Sequence, residues 1–120
     1  MVLVDTSVWV EFLRRGHTRL ATLLAEVQVM THPIIVGELA CGNIKNRHNF
    51  LSLLTNLPHA TELTHAEVLQ FIKQHRLMGR GVGFFDLHLL GSTLVSKVKL
   101  WTLDKRLSAL AAQFRVRLLH

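Results

Sequence analysis

Cysteine occurs once, at Cys41, so an internal disulfide framework and a cysteine-rich zinc site are both excluded. A reducing compartment fits that usage. No apolar run approaches membrane-spanning length, and no basic-then-apolar leader precedes the first strand-like stretch. A soluble, cytoplasmic protein with no membrane partner is therefore expected. Repeats, linkers and low-complexity segments are missing too. The eight histidines contain no helical His-x-x-x-His pair and no recognised zinc spacing. No Ser, Cys or His stands out as a nucleophile with an assembled triad. Acids are scarce: eight against fourteen Lys and Arg, for a net charge of +6 and a pI near 10.5. That surplus favours a polyanionic partner, either nucleic acid or an acidic protein.

At 120 residues, 49% apolar and 18% charged, the chain is long enough for one cored domain, residues 1–120, and too apolar for disorder. Val2 to Val4 is continuously apolar and too short for a helix, so it reads as a strand buried on both faces. Asp5 ends it. Trp9, Phe12 and Leu13 then recur at the helical period, followed by Arg14, Arg15 and Gly16 as stop signals. Leu20, Leu23 and Leu24 mark a second helix, and Val27 to Thr31 is the next strand candidate. Pro33 and Gly42 bracket a helix over Ile34 to Cys41. Another is expected from Lys45 to Thr55, then a loop around Pro58 with room for a short edge strand. Thr64 and Glu67 have capping-box spacing before Val68, Phe71 and Ile72. Glycines 79, 81 and 83 form the one flexible stretch, leading through Phe84-Phe85-Asp86 into a helix with Leu87, Leu90, Gly91 and Leu94 on its inner face. Lys99 to Thr102 reads as a strand, Leu107 to Phe114 as the last helix, and Val116 to Leu119 as a closing strand. Alternating strands and helices place the chain in the α/β class, a parallel sheet covered on both faces.

Asp5, Asp86 and Asp104 each follow apolar residues and precede a helix, where Asp is a favoured N-cap. Glu38 is different. It is the only charge in Ile34–Cys41, and an ionised carboxylate on so apolar a helix is costly unless paired or coordinated. A narrow solvent stripe, or pairing with Lys45 or Arg47, would be the ordinary explanation. Carboxyl edges of parallel strands are where ligands bind. Four carboxylates gathered there would repel, so either some take up protons or a hard divalent cation neutralises them. Oxygen-only ligands favour Mg2+ or Mn2+ over zinc. With a basic surface around it, such an ion suits a phosphodiester substrate.

The strand-Asp-Thr-Ser-Val-Trp start resembles a PIN domain. So do the lone Glu in an apolar helix, Gly-Val-Gly-Phe-Phe-Asp-Leu-His-Leu-Leu, and Leu-Trp-Thr-Leu-Asp-Lys-Arg-Leu. The likeness runs end to end and is strongest to VapC-type ribonuclease toxins of bacterial toxin–antitoxin pairs. It implies a three-layer α/β/α PIN-like domain with a central, mostly parallel sheet. It further implies a metal-dependent endoribonuclease that cuts RNA by metal-activated water, with Asp5, Glu38, Asp86 and Asp104 as catalytic acids and metal ligands. Thr6 and Thr102 match a family tendency to hydroxyls beside the site and read as hydrogen-bonding supports, or as local caps. A homodimer and a small VapB-like antitoxin that blocks the cleft are also implied, with promoter DNA reached only through the antitoxin.

Among the basic residues Arg80 is the preferred RNA contact, because flexible glycines let a backbone approach a ligand. Arg14, Arg15, Lys105 and Arg106 are further candidates. His88, two residues after Asp86, should diverge from that acid. Trp9 and Trp101 are expected to pack in the core. The main alternative is a non-catalytic nucleic-acid or protein-binding α/β module whose acids only cap helices. An aspartyl-phosphate protein using Asp5 as nucleophile leaves Glu38 unexplained.

Overall fold

The structure, a computed structural model, describes residues 1–118. Three strands, β1 (Val2–Val4), β2 (Val29–Met30) and β3 (Lys99–Trp101), form a parallel sheet in the order β2-β1-β3. Leu3 stands opposite Met30 on one side and Leu100 on the other, and Val4 opposite Trp101. Successive strand residues face opposite sides of a sheet. All three residues of β1 are buried, so both faces are covered, and an unbroken apolar run is what such a strand requires. The sheet is widened at both edges. His59 bridges Thr31 in parallel, and Arg117 bridges Leu100, with Leu100 N donating to Val116 O and Leu118 N to Leu100 O. Both expected edge strands are therefore present as single bridges; Leu119 of the second lies outside the described residues.

Among the described residues seven helices fill the connections: α1 (Thr6–Arg15), α2 (Thr18–Ala25), α3 (Pro33–Ala40), α4 (Arg47–Asn56), α5 (His65–His75), α6 (Phe84–Ser96) and α7 (Lys105–Gln113). Local chemistry sets most of their ends. Thr64 Oγ1 accepts from Glu67 N at 3.1 Å and Glu67 Oε1 from Thr64 N at 2.8 Å, closing the capping box of α5. Pro33 opens α3, where His32 Nδ1 accepts from Ile34 N at 3.0 Å. Gly16 ends α1 at φ 73°.

Four later terminations use ordinary residues at positive φ: Val27, Arg76, Lys97 and Arg115. In each the next N–H reaches back to the fifth carbonyl before it, as Gln28 does to Leu23 and Leu77 to Ile72. This wrapped C-terminus usually takes glycine. Val27 is thus spent on ending α2, which is why the strand expected over Val27–Thr31 shortens to Val29–Met30. α6 likewise begins at Phe84, so Asp86 lies in its first turn and not before it.

The chain leaves β1 for β2 on one side, then returns past β1 to β3 on the other. Where strand order reverses, the carboxyl ends of adjacent strands flank an open crevice. Asp5 follows β1 and Thr102 follows β3, and Asp5 N donates to Trp101 O at 2.9 Å, so both stand at that crevice. No helix among the described residues is long and apolar enough to cross a membrane.

Leu3 is fully buried in the central strand, whereas Leu69 on α5 is half exposed. Leu3→Ala should lower the unfolding free energy in urea by about 3 kcal/mol, within the usual core range. Leu69→Ala should change it by less than about 0.5 kcal/mol. Equal losses at the two positions would contradict the central placement of β1.

Candidate active site

Asp5 is buried at the crevice, and its Oδ2 accepts two hydroxyls: Thr102 Oγ1 at 2.7 Å and Ser7 Oγ at 3.0 Å. Each hydroxyl in turn accepts a backbone N–H, Thr102 from Asp104 at 3.1 Å and Ser7 from Leu103 at 3.0 Å. With both protons committed to Asp5, the 3.4 Å approach of the two hydroxyls is a contact between acceptors and not a further bond. Donors from two peptide groups thus converge through two hydroxyls on one carboxylate oxygen. Asp5 occupies the N-cap position of α1 but makes no side-chain cap.

Glu38 projects from α3 and its Oε1 accepts from Thr6 Oγ1, in the first turn of α1, at 2.8 Å. Glu38 is exposed, along with Pro33, Gly37 and Cys41 on its helix. The expectation that so apolar a helix makes an ionised Glu38 costly unless paired or coordinated is corrected here, because the acid faces solvent. Two small or ring-closed residues expose backbone beside it, so its carboxylate keeps access to water. Neither Lys45 nor Arg47 pairs with it; Arg47 donates to Ala40 O at 2.9 Å. Asp104 Oδ1 accepts from Leu107 N at 2.9 Å and caps α7. Asp86 accepts a bond from the Gly83 backbone at the start of α6.

Asp86 reports the assembly. Its pKa is pushed up to about 6, first by burial and then by the charges of Asp5, Asp104 and Glu38. Asp5, Glu38 and Asp104 thus each lie within electrostatic reach of Asp86, and capping alone accounts only for Asp104. Thr6 donates to Glu38 and Thr102 to Asp5. Ser7 does the same for Asp5 and was overlooked. Its signal was a hydroxyl two residues beyond the acid, the spacing at which Ser and Asp meet in a helix-opening turn.

The donor chemistry suits a hard divalent cation. One oxygen each of Asp5, Glu38 and Asp104 accepts no protein hydrogen bond among the described residues, and no sulfur or imidazole competes. The carboxylates nevertheless stand apart: among the described residues no three His, Cys, Asp or Glu side chains converge closely enough to hold an ion. Mutual repulsion and separate anchors explain that spacing, since Thr6, Thr102 and the α7 backbone each pull on a different acid.

The remaining candidates sort by position. Trp9 and Trp101 are completely buried and serve the core. His88 diverges as expected, packing its ring 4.9 Å from Phe84 and 6.5 Å from His32. Arg80 leans toward Gln113 at the far end of α7, Nη1 to Oε1 3.5 Å. Arg106, near Asp104, instead lies across Gly81, whose φ of +73° and missing side chain make the room. A cavity of about 450 Å³ adjoins Glu38 and Thr6, walled by Val10, Leu13 and Leu39 with Arg14 and Lys45 at its rim.

A family model described as PIN domain matches residues 2–113, a span containing all four acids. Ribonuclease VapC32 of Mycobacterium tuberculosis strain CDC 1551 / Oshkosh is 49% identical over 119 residues, 98% of this chain and 96% of its own. The protein of the same name from strain ATCC 25618 / H37Rv gives the same identity and coverage.

Because the folded state raises the proton affinity of Asp86, it holds a proton between the ordinary carboxylate range and about pH 6 that the unfolded chain has lost. Stability from this group is complete below pH 3.8 and disappears as pH climbs through about 6. In EDTA, Asp86→Asn should remove this decline, so that wild type falls relative to the variant between those limits in urea titrations. Parallel pH profiles would show that the acids do not crowd Asp86.

Proposed function

The chain belongs to the PIN-domain family, and on that footing we propose that it is a VapC-like toxin, a metal-dependent endoribonuclease. The observation that carries the reading is that Asp5, Glu38 and Asp104 each stand within electrostatic reach of Asp86, at the reversal of strand order. A module whose acids merely cap helices has no use for that crowding. Residues 1–120 would act as one PIN-like domain.

In this reading Asp5, Glu38, Asp86 and Asp104 hold Mg2+ or Mn2+, with Asp104 also capping α7. The ion, when bound, supplies Lewis acidity that acidifies water and steadies charge on the phosphoryl group. The chain does the rest. Thr102 and Ser7 fix the Asp5 carboxylate, and Thr6 keeps Glu38 turned toward α1. Asp86, its pKa pushed up to about 6 first by burial and then by the neighbouring charges, still carries its own negative charge at neutrality. Exposed Lys105 and Arg106 follow Asp104 directly and suit phosphates flanking the scissile bond. Arg80 would contact RNA farther out. Cleavage by water leaves a 5′-phosphate and a 3′-hydroxyl. A VapB-like antitoxin inhibits by covering the acids and the neighbouring apolar cavity, in a cytoplasmic homodimer that meets promoter DNA only through the antitoxin.

Asp5→Asn should abolish RNA cleavage and growth arrest while preserving the circular dichroism spectrum and antitoxin binding, and EDTA should silence the wild type. Thr102→Val, which leaves the acid in place but unsupported, should lower cleavage about 10- to 100-fold. Growth arrest by Asp5→Asn equal to wild type, or cyclic-phosphate ends on cleaved RNA, would overturn the proposal.

A further inference from the structure

The described residues include six phenylalanines and two tryptophans, and only Phe85 among them is exposed, at 60%. It is the residue before Asp86, on the first turn of α6. Its position is supported from beneath. The half-buried Phe84 packs against His88 at 4.9 Å and His65 at 5.0 Å, and Phe85 lies 6.1 Å from Phe84 and 6.5 Å from His88. Phe85 is thus the outer ring of a four-ring cluster. An aromatic left in water forgoes a large burial gain. Single exposed apolar residues are ordinary on protein surfaces. The other exposed large apolar side chains here are all aliphatic or Met, whereas this one is a planar ring on the turn of α6 that also carries Asp86.

We infer that Phe85 is a stacking platform for an unpaired nucleobase of the RNA substrate, beside the phosphate presented to the acids. Single-strand binders join two elements, aromatic faces for bases and cationic groups for the backbone. Both are here: the ring at Phe85, and Arg106 lying across the glycine run that leads into α6. Stacking requires unpaired bases, so the ledge selects loops or single strands over duplex. The inference rests on the ribonuclease reading for its substrate, but stacking and cleavage are separable.

Phe85→Ala, Phe85→Leu and Phe85→Trp would be compared by fluorescence anisotropy with a fluorescein-labelled single-stranded RNA in EDTA, and by cleavage kinetics in Mg2+. Phe85→Ala should raise Kd and KM about 5- to 150-fold, the usual contribution of one stacked base, with kcat little changed. Phe85→Trp should restore binding. Phe85→Leu, equally apolar but without a π face, should not. On an abasic version of the same RNA, wild type and Phe85→Ala should bind alike. Wild-type affinity in Phe85→Ala or Phe85→Leu would overturn the inference, the latter pointing to an ordinary apolar contact with a protein. If wild type cleaves RNA and Phe85→Ala matches it, only the platform falls. If RNA binds with the expected losses and is never cut, the platform stands and the nuclease reading falls. No RNA binding by wild type sinks both.

Discussion

A 2.7 Å hydrogen bond from Thr102 to Asp5 joins side chains 97 positions apart in the chain and ties together the carboxyl ends of the two adjacent strands β1 and β3. Hydrogen bonds to charged groups are worth about 1.5–3 kcal/mol, and leaving a buried carboxylate without its donor costs more. The bond therefore does two jobs. It helps hold β3 in register beside β1, and it pins the acid that an open solvent site would leave free to rotate. Ser7 adds a second donor from α1, so strand, following helix and opposite loop all meet at a single oxygen.

That attachment works against a cost built into the site. Burial first, and then repulsion from the neighbouring carboxylates, pushes the pKa of Asp86 up to about 6. The other three are each held by different neighbours: two hydroxyls for Asp5, one hydroxyl for Glu38 and the α7 backbone for Asp104. Polar donors without charge are well suited here. They hold the acids in place without neutralising them, and so preserve the negative focus that a divalent cation would need. The surplus of Lys and Arg elsewhere makes the same molecule attractive to polyanions at long range.

The sheet reaches this arrangement economically. Its strands are two and three residues long, yet each is flanked by helices whose ends are chemically marked, and the edges extend by single bridges. The use of Val, Arg and Lys at left-handed turns shows how strongly the packing of the following apolar residues governs these ends. Each such residue carries a steric penalty that a glycine would avoid. Burial of Leu77 directly after Arg76 offsets part of it.

Composition and periodicity by themselves determined the α/β class, the buried central strand, all seven helices of the described residues, and Asp5 and Asp104 between a strand and a helix. These features depend on neighbours a few positions apart, which any stretch of sequence displays. Residue spacing also singled out Glu38, though by a burial argument that its exposed position does not support. Only tertiary structure decided that strand order reverses between β1 and β3, that Ser7 and Thr102 share one oxygen of Asp5, and that Phe85 is the ring left in water. Those facts depend on which distant segments lie side by side. The free energy that selects such neighbours is summed over the whole core, and no local run of residues contains it.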